Sequence, residues 1–174
     1  TTIGILAALR YREETGMGQK VDVAMLDTQL AILENASARY AVSGEVPEPK
    51  GNRHPSITPF EPFETKDAEI MIAVGNDAIW KRFCGVTALE SIRDDERFKT
   101  NPLRNDNYDA LRPLIAEKLK LKSVDEWIEI FNQAGVPNGP INTVDKVLQD
   151  PQIIARDMVK EIEHPVAGKL KMPG

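Results

Sequence analysis

Gly51–Asp77 reads GNRHPSITPFEPFETKDAEIMIAVGND, and this stretch decides the fold of the chain. It opens on a polar, turn-rich loop, Gly51–Ser56, of the kind that runs over a surface and carries contacts. Pro59, Pro62 and the apolar residues around Phe60 and Phe63 then suit an edge strand or an irregular extended run. Glu64–Ala68 reads as a turn, and Glu69–Val74 is the strongest strand pattern in the chain. Two such runs about a tight turn predict a β-hairpin. Asn76 or Asp77 can cap the next helix, in which Ile79, Trp80, Phe83 and Cys84 share one face.

Before this stretch the chain is mostly helical. Ile3–Glu14 is apolar nearly all round in its first turns, which predicts a helix that needs a partner on most faces. Gly16 supplies a left-handed cap. Gln19–Val23 reads as a short strand, and one long helix is expected over Met25–Val42. Pro47 and Pro49 then make Val46–Lys50 an extended linker. Beyond the hairpin, Asn101-Pro102 opens a helical run with Tyr108, Leu111, Ile115 and Leu119 as its stripe. Ser123 and Glu126 form a capping-box pattern ahead of Trp127, Ile128 and Phe131. Val136–Ile141 is extended. Short helices are expected over Thr143–Leu148 and from Pro151, the second capped by Asp150. A second hairpin is predicted from Met158–Glu163 and Lys169–Met172. The fold class is therefore α+β: a helical arm and linker over residues 1–50, then a small mixed domain over residues 51–174 with short antiparallel hairpins and several helices.

The 174 residues are 41% hydrophobic and 28% charged, ordinary for a water-exposed globular protein. A net charge of −5 disfavours nucleic acid or an anionic membrane as partner, while a local basic pocket for a small phosphorylated ligand stays open. The single cysteine cannot form an internal disulfide, which fits a reducing cytoplasm. No run approaches the roughly 18 apolar residues of a membrane span, and none reads as a secretory signal. The chain enters an apolar helix at Thr1 without an initiator Met and stops at Gly174 just after a strand-like run. Both ends read as cuts through a longer protein.

Chemistry-bearing residues are sparse. One Cys and two His, His54 and His164, lack metal-ligand spacing, so no metal site is expected. No glycine fingerprint follows a strand to open a helix. Cys84 on an apolar face reads as a core thiol, and His164 before a proline as a turn residue. Asp22 and Asp27 flank a helix start, where negative charge suits the dipole. Asp94-Asp95-Glu96 reads as a solvated face. His54, between Arg53 and Ser56, is either solvated or within reach of a ligand. By residue chemistry alone the chain holds no self-contained catalytic set.

Whole blocks carry a resemblance. GILAALRYREETGMGQKVDVAMLD (Gly4–Asp27), GNRHPSITPFEPFETKD (Gly51–Asp67), IAVGND (Ile72–Asp77), DDERFKTNPLR (Asp94–Arg104) and AGVPNGPINTVDKVLQDPQ (Ala134–Gln152) resemble the class III CoA-transferases. That group contains formyl-CoA:oxalate and carnitine CoA-transferases and the 2-methylacyl-CoA racemases. The resemblance implies covalent catalysis by an aspartate that lies upstream of Gly4–Leu9, so no catalytic residue is expected within these residues. It implies a coenzyme A thioester and a carboxylic acid as substrates, no covalently bound cofactor, and a homodimer of interlocked chains. The family's glycine-rich loop after Gly-Asn corresponds here to Arg53-His54-Pro55-Ser56, where Pro55 stiffens what glycines would free. Asn52, Arg53, His54 and Ser56 are thus expected to border the acyl site and help choose the acid. Asp77 joins them, near the place where the racemase branch carries an acid/base glutamate. A racemase and a non-catalytic binding or assembly domain are the alternatives to a transferase.

Overall fold

Glycine caps and side-chain caps set several of the helix boundaries. The computed structural model describes residues 1–174, which form two compact units, Thr1–Pro49 and Lys50–Gly174. In the first, α1 (Thr2–Thr15) ends at Gly16, whose φ of 74° lets its N–H reach the Arg12 carbonyl. α2 (Met25–Ile32) and α3 (Glu34–Ser43) follow, the latter closed by Gly44 in the same conformation. The single helix expected over Met25–Val42 is broken at Leu33. Its N–H is shared between the Gln29 and Leu30 carbonyls, a tightened turn that separates the two segments. The strand expected over Gln19–Val23 does not form, because no sheet neighbour is present to complete its ladder. No residue of α1, α2 or α3 is buried, and Ile3, Met25 and Leu26 are each more than three-quarters exposed.

The second unit is built on the hairpin of the opening stretch. β1 (Phe60–Glu64) and β2 (Glu69–Ala73) pair antiparallel with Phe63 opposite Ile70 and Glu61 opposite Ile72. Strand alternation sends Glu61 and Phe63 to the buried face together with Ile70 and Ile72. The extended segment after the capped helix adds a third strand that the sequence pattern did not disclose. β3 (Asn138–Pro140) pairs with β2, giving the order β1-β2-β3.

Helices cover this sheet. α4 (Asp77–Val86) is capped by Asn76, whose Oδ1 accepts the Ile79 N–H, so Asp77 is the first helical residue and not the cap. α5 (Glu90–Arg93) is a single turn. The helical run after Asn101 is interrupted at Asn107, giving α6 (Asn101–Asp106) and α7 (Tyr108–Leu119). α8 (Val124–Ala134) begins with the full capping box of Ser123 and Glu126 and ends at Gly135. The core joins Trp80 and Phe83 of α4, Leu111, Ile115 and Leu119 of α7, and Trp127 and Phe131 of α8 to the sheet. Stacked rings run from Trp80 through Phe83 and Phe131 to Trp127, with centroids 5.1–5.9 Å apart. Each such pair adds about 0.5–1.5 kcal/mol beyond its buried area. Phe98 lies in a segment that reads as polar, yet it is fully buried.

α9 (Val144–Val147) and α10 (Pro151–Ala155) follow, the second capped by the Asp150 carboxylate. β4 (Val159–His164) and β5 (Gly168–Pro173) then form a separate two-stranded hairpin, as predicted. The protein is α+β, and no helix is long and apolar enough to cross a membrane.

Candidate functional site

One face of α6 organises the loop that precedes β1. Asn101, Arg104 and Asn105 are spaced three and four apart, which puts them on the same side of a helix. Asn101 Oδ1 accepts the Thr58 N–H at 3.0 Å, and its Nδ2 donates to the Ser56 carbonyl at 2.7 Å. Asn105 Nδ2 donates to that same carbonyl at 2.8 Å, while its Oδ1 accepts the Thr58 hydroxyl at 2.7 Å. The two amides strap Ser56–Thr58 against α6.

Arg104 lies between them and is fully buried. Its Nε donates to the Thr58 carbonyl at 2.8 Å and its Nη1 to the Phe98 carbonyl at 3.0 Å. Its Nη2 reaches Asp77 Oδ1 at 2.8 Å, and the guanidinium lies 4.9 Å from the Trp80 ring centroid. One side chain thus ties the end of the loop to the first residue of α4. Asp77 keeps about half of its side chain in solvent.

The loop itself folds around His54. Its Nδ1 accepts the N–H groups of Ser56 and Ile57 at 3.2 and 3.1 Å, and its ring stacks on Phe60 at 5.1 Å. A ring nitrogen that accepts twice carries no proton, so the imidazole holds its hydrogen on Nε2. That Nε2–H has no protein partner. His164 makes the same turn with the N–H groups of Val166 and Ala167 at 3.2 and 3.1 Å. The His-Pro cap is therefore a local turn device in both places. What distinguishes His54 is the strap of asparagines beside it.

Arg53 completes the group. Its Nη2 donates to Thr58 Oγ1 at 3.2 Å and to Asn105 Oδ1 at 3.1 Å. Its guanidinium lies over the Tyr108 ring, 3.4 Å from the centroid. The Tyr108 hydroxyl donates to Glu61 Oε2 at 2.9 Å, and Arg112 Nε reaches the same oxygen at 2.9 Å. Burial, then the hydrogen bond to Glu61, raises the Tyr108 pKa, while the Glu61 contact also holds Arg112 in its charged form. Arg53 Nε and Glu61 Oε1 are buried without a hydrogen-bond partner.

The loop's backbone is largely consumed: the Ser56, Ile57 and Thr58 N–H groups and the Ser56 and Thr58 carbonyls are all bonded. What it can offer a ligand is side-chain donors: Asn52, which makes no side-chain hydrogen bond, Arg53 Nη1, His54 Nε2 and the Ser56 hydroxyl. Arg53, His54 and Ser56 thus share one strapped loop. Asp77 connects to it only through Arg104, and Asn52 stands at its exposed start. Cys84 is buried, and burial pushes its thiol up to about 12, which removes it as a nucleophile.

Thr58, Glu61, Asn101, Arg104, Asn105, Tyr108 and Arg112 were not legible as site residues. The available signal was the Asn101-x-x-Arg104-Asn105 spacing, polar residues on one helical face beside an Asn-Pro start. Glu61 could have been found by counting from Phe63, two residues along the strand.

A family model described as CoA-transferase family III matches residues 1–174. The chain is 34% identical over 170 residues to a succinyl-CoA:glutarate CoA-transferase of Homo sapiens, covering 98% of this chain and 39% of that protein. It is 36% identical over 171 residues to an acetyl-CoA:oxalate CoA-transferase of Acetobacter aceti, covering 98% and 43%. A crystal structure of a CAIB/BAIF family protein from Brucella suis superposes with a TM-score of 0.80 at 34% identity, covering 99% and 49%. The chain therefore spans less than half the length of these relatives. Its match extends over both the helical unit and the mixed unit, and the chain belongs to the CoA-transferase family III.

Proposed function

We propose that this chain is the acid-selecting part of an acyl-CoA:carboxylate CoA-transferase, with residues 1–50 as an arm from the CoA-binding domain and residues 51–174 as the small domain. The observation that carries the reading is the strapped loop, which presents side-chain donors on a scaffold fixed by Asn101, Arg104 and Asn105. Preorganised donors of this kind suit a carboxylate substrate, because they lose little freedom when it binds. In the reaction, an aspartate carboxylate supplied upstream attacks the acyl-CoA thioester, giving a mixed anhydride and CoA thiolate. The thiolate attacks the aspartyl carbonyl, releasing the donor acid and leaving an aspartyl-CoA thioester. The acceptor carboxylate repeats the two steps in reverse and leaves with CoA. Coenzyme A thioester is thus a substrate and no covalently bound cofactor is needed.

In this account Asn52, Arg53, His54 and Ser56 line the acyl site. Asp77 stands at its edge, with one carboxylate oxygen held by Arg104, and that engagement favours a transferase over a racemase. The open apolar side chains of α1, α2 and α3 are consistent with burial against a second copy in a cytoplasmic homodimer. Exchanging Asn52–Ser56 for the corresponding loop of a relative with a different acid, in the full-length protein, tests the reading. The acid preference should follow the loop. An unchanged preference with normal folding would show that the loop does not border the acyl site.

A further inference from the structure

Arg53 is the half-buried cation of the loop network that forms no ion pair. Arg104 is matched by Asp77, and Arg112 by Glu61. Counting Arg53, Arg104 and Arg112 against Asp77 and Glu61, one positive charge remains, and it belongs to Arg53. An arginine does not shed its proton, so this charge must be met by solvent or by a ligand. Its orientation is already fixed by the Tyr108 face on one side and by Thr58 and Asn105 on Nη2. The acceptors that hold it are an amide and a hydroxyl, which orient a guanidinium without neutralising it. Nη1 is left open.

We infer that Arg53 is an anion-recognition site that pairs with a non-reacting oxyanion of the substrate. The inference rests on the transferase reading and deepens it. Two groups share the required chemistry: a second carboxylate of the acid, and a phosphate of the CoA thioester. A fixed, uncompensated guanidinium favours either over an uncharged group, since charge-assisted hydrogen bonds are about twice as strong as neutral ones. Loss of one such bond corresponds to about 10- to 100-fold in selectivity.

The test uses the full-length protein with Arg53→Met and Arg53→Lys, and His164→Ala as a control outside the network. One arm compares kcat/KM for succinate against butyrate as acceptor. The other compares a CoA thioester with the matching pantetheine thioester, which lacks the phosphates. Arg53→Met should lower one of these two ratios by about 10- to 100-fold, with Arg53→Lys recovering part of the loss. The first ratio falling assigns the carboxylate, and the second assigns the phosphate. A merely structural role would lower both members of each ratio alike, so two ratios within about twofold of the parent's would overturn the inference. If the full-length protein transfers no CoA at all, the transferase reading fails by itself. Titration with succinate and with CoA, followed by tryptophan fluorescence, then decides: weaker binding of either by Arg53→Met upholds the anion site, and equal binding of both removes it.

Discussion

Replacing Arg104 with methionine asks most of the structure, because one buried guanidinium holds three separate elements. Met keeps much of the aliphatic stem but none of the donors, and it loses the guanidinium that faces Trp80. Asp77 has about half of its side chain in water and can rehydrate, so its lost partner costs little. The Thr58 and Phe98 carbonyls are different: both lose their donors to a side chain that was fully buried. At about 1–2 kcal/mol for each carbonyl left without a partner, the change should destabilise the mixed unit by about 2–4 kcal/mol. For a domain of this size that corresponds to a fall in Tm of about 10 °C. Urea denaturation followed by tryptophan emission reads the loss directly, since Trp80 stacks on the guanidinium. Arg104→Lys should recover only part, because one ammonium cannot replace a fork that reaches Thr58, Phe98 and Asp77 together. A loss below about 1 kcal/mol for Arg104→Met would refute the claim that this side chain ties the loop to α4.

Other outcomes follow from the same contacts. His54→Ala should speed hydrogen exchange at the Ser56 and Ile57 amides and leave the Thr58 amide protected by Asn101; NMR exchange rates resolve the three. Cys84 should resist alkylation in the native state across neutral pH and react at once in denaturant, because burial both hides the thiol and raises its pKa to about 12. Asp67 has its pKa lowered from 3.8, chiefly by the Val124 N–H, so its contribution to stability is present above that value and is lost as pH falls through the depressed one. The acid denaturation curve of Asp67→Asn should therefore converge on the parent's below that range and lie beneath it at neutral pH. Ser123→Ala should cost about 1 kcal/mol by removing the cap of α8, read by the same urea titration.

The parts of the fold legible in the sequence are those written in local chemistry. The hairpin of β1 and β2, the capping box at Ser123 and the Gly16 cap depend on neighbours within a few residues. β3 was read only as extended, since its strand character comes from pairing with β2 some 70 positions earlier, and no periodicity records that. The break at Leu33 has no sequence mark, as Leu33 is a good helix former. The loop Asn52–Ser56 could be picked out by composition, but what holds it could not. Asn101 reads only as the opening of a helical run, and Asn105 carries no mark, until their amides are placed against Ser56 and Thr58. Arg104 was the hardest to see, because a fully buried arginine is legible only through the partners that long-range folding brings to it.

CoA transfer is separated from racemisation in one reaction of the full-length protein in D2O with an acyl-CoA carrying an α-hydrogen and a free carboxylic acid. Mass spectrometry follows both thioesters. CoA should appear on the added acid, with no deuterium gained at the α-carbon of the donor. Deuterium at the α-carbon without any CoA on the acid would contradict CoA transfer and assign the protein to racemisation.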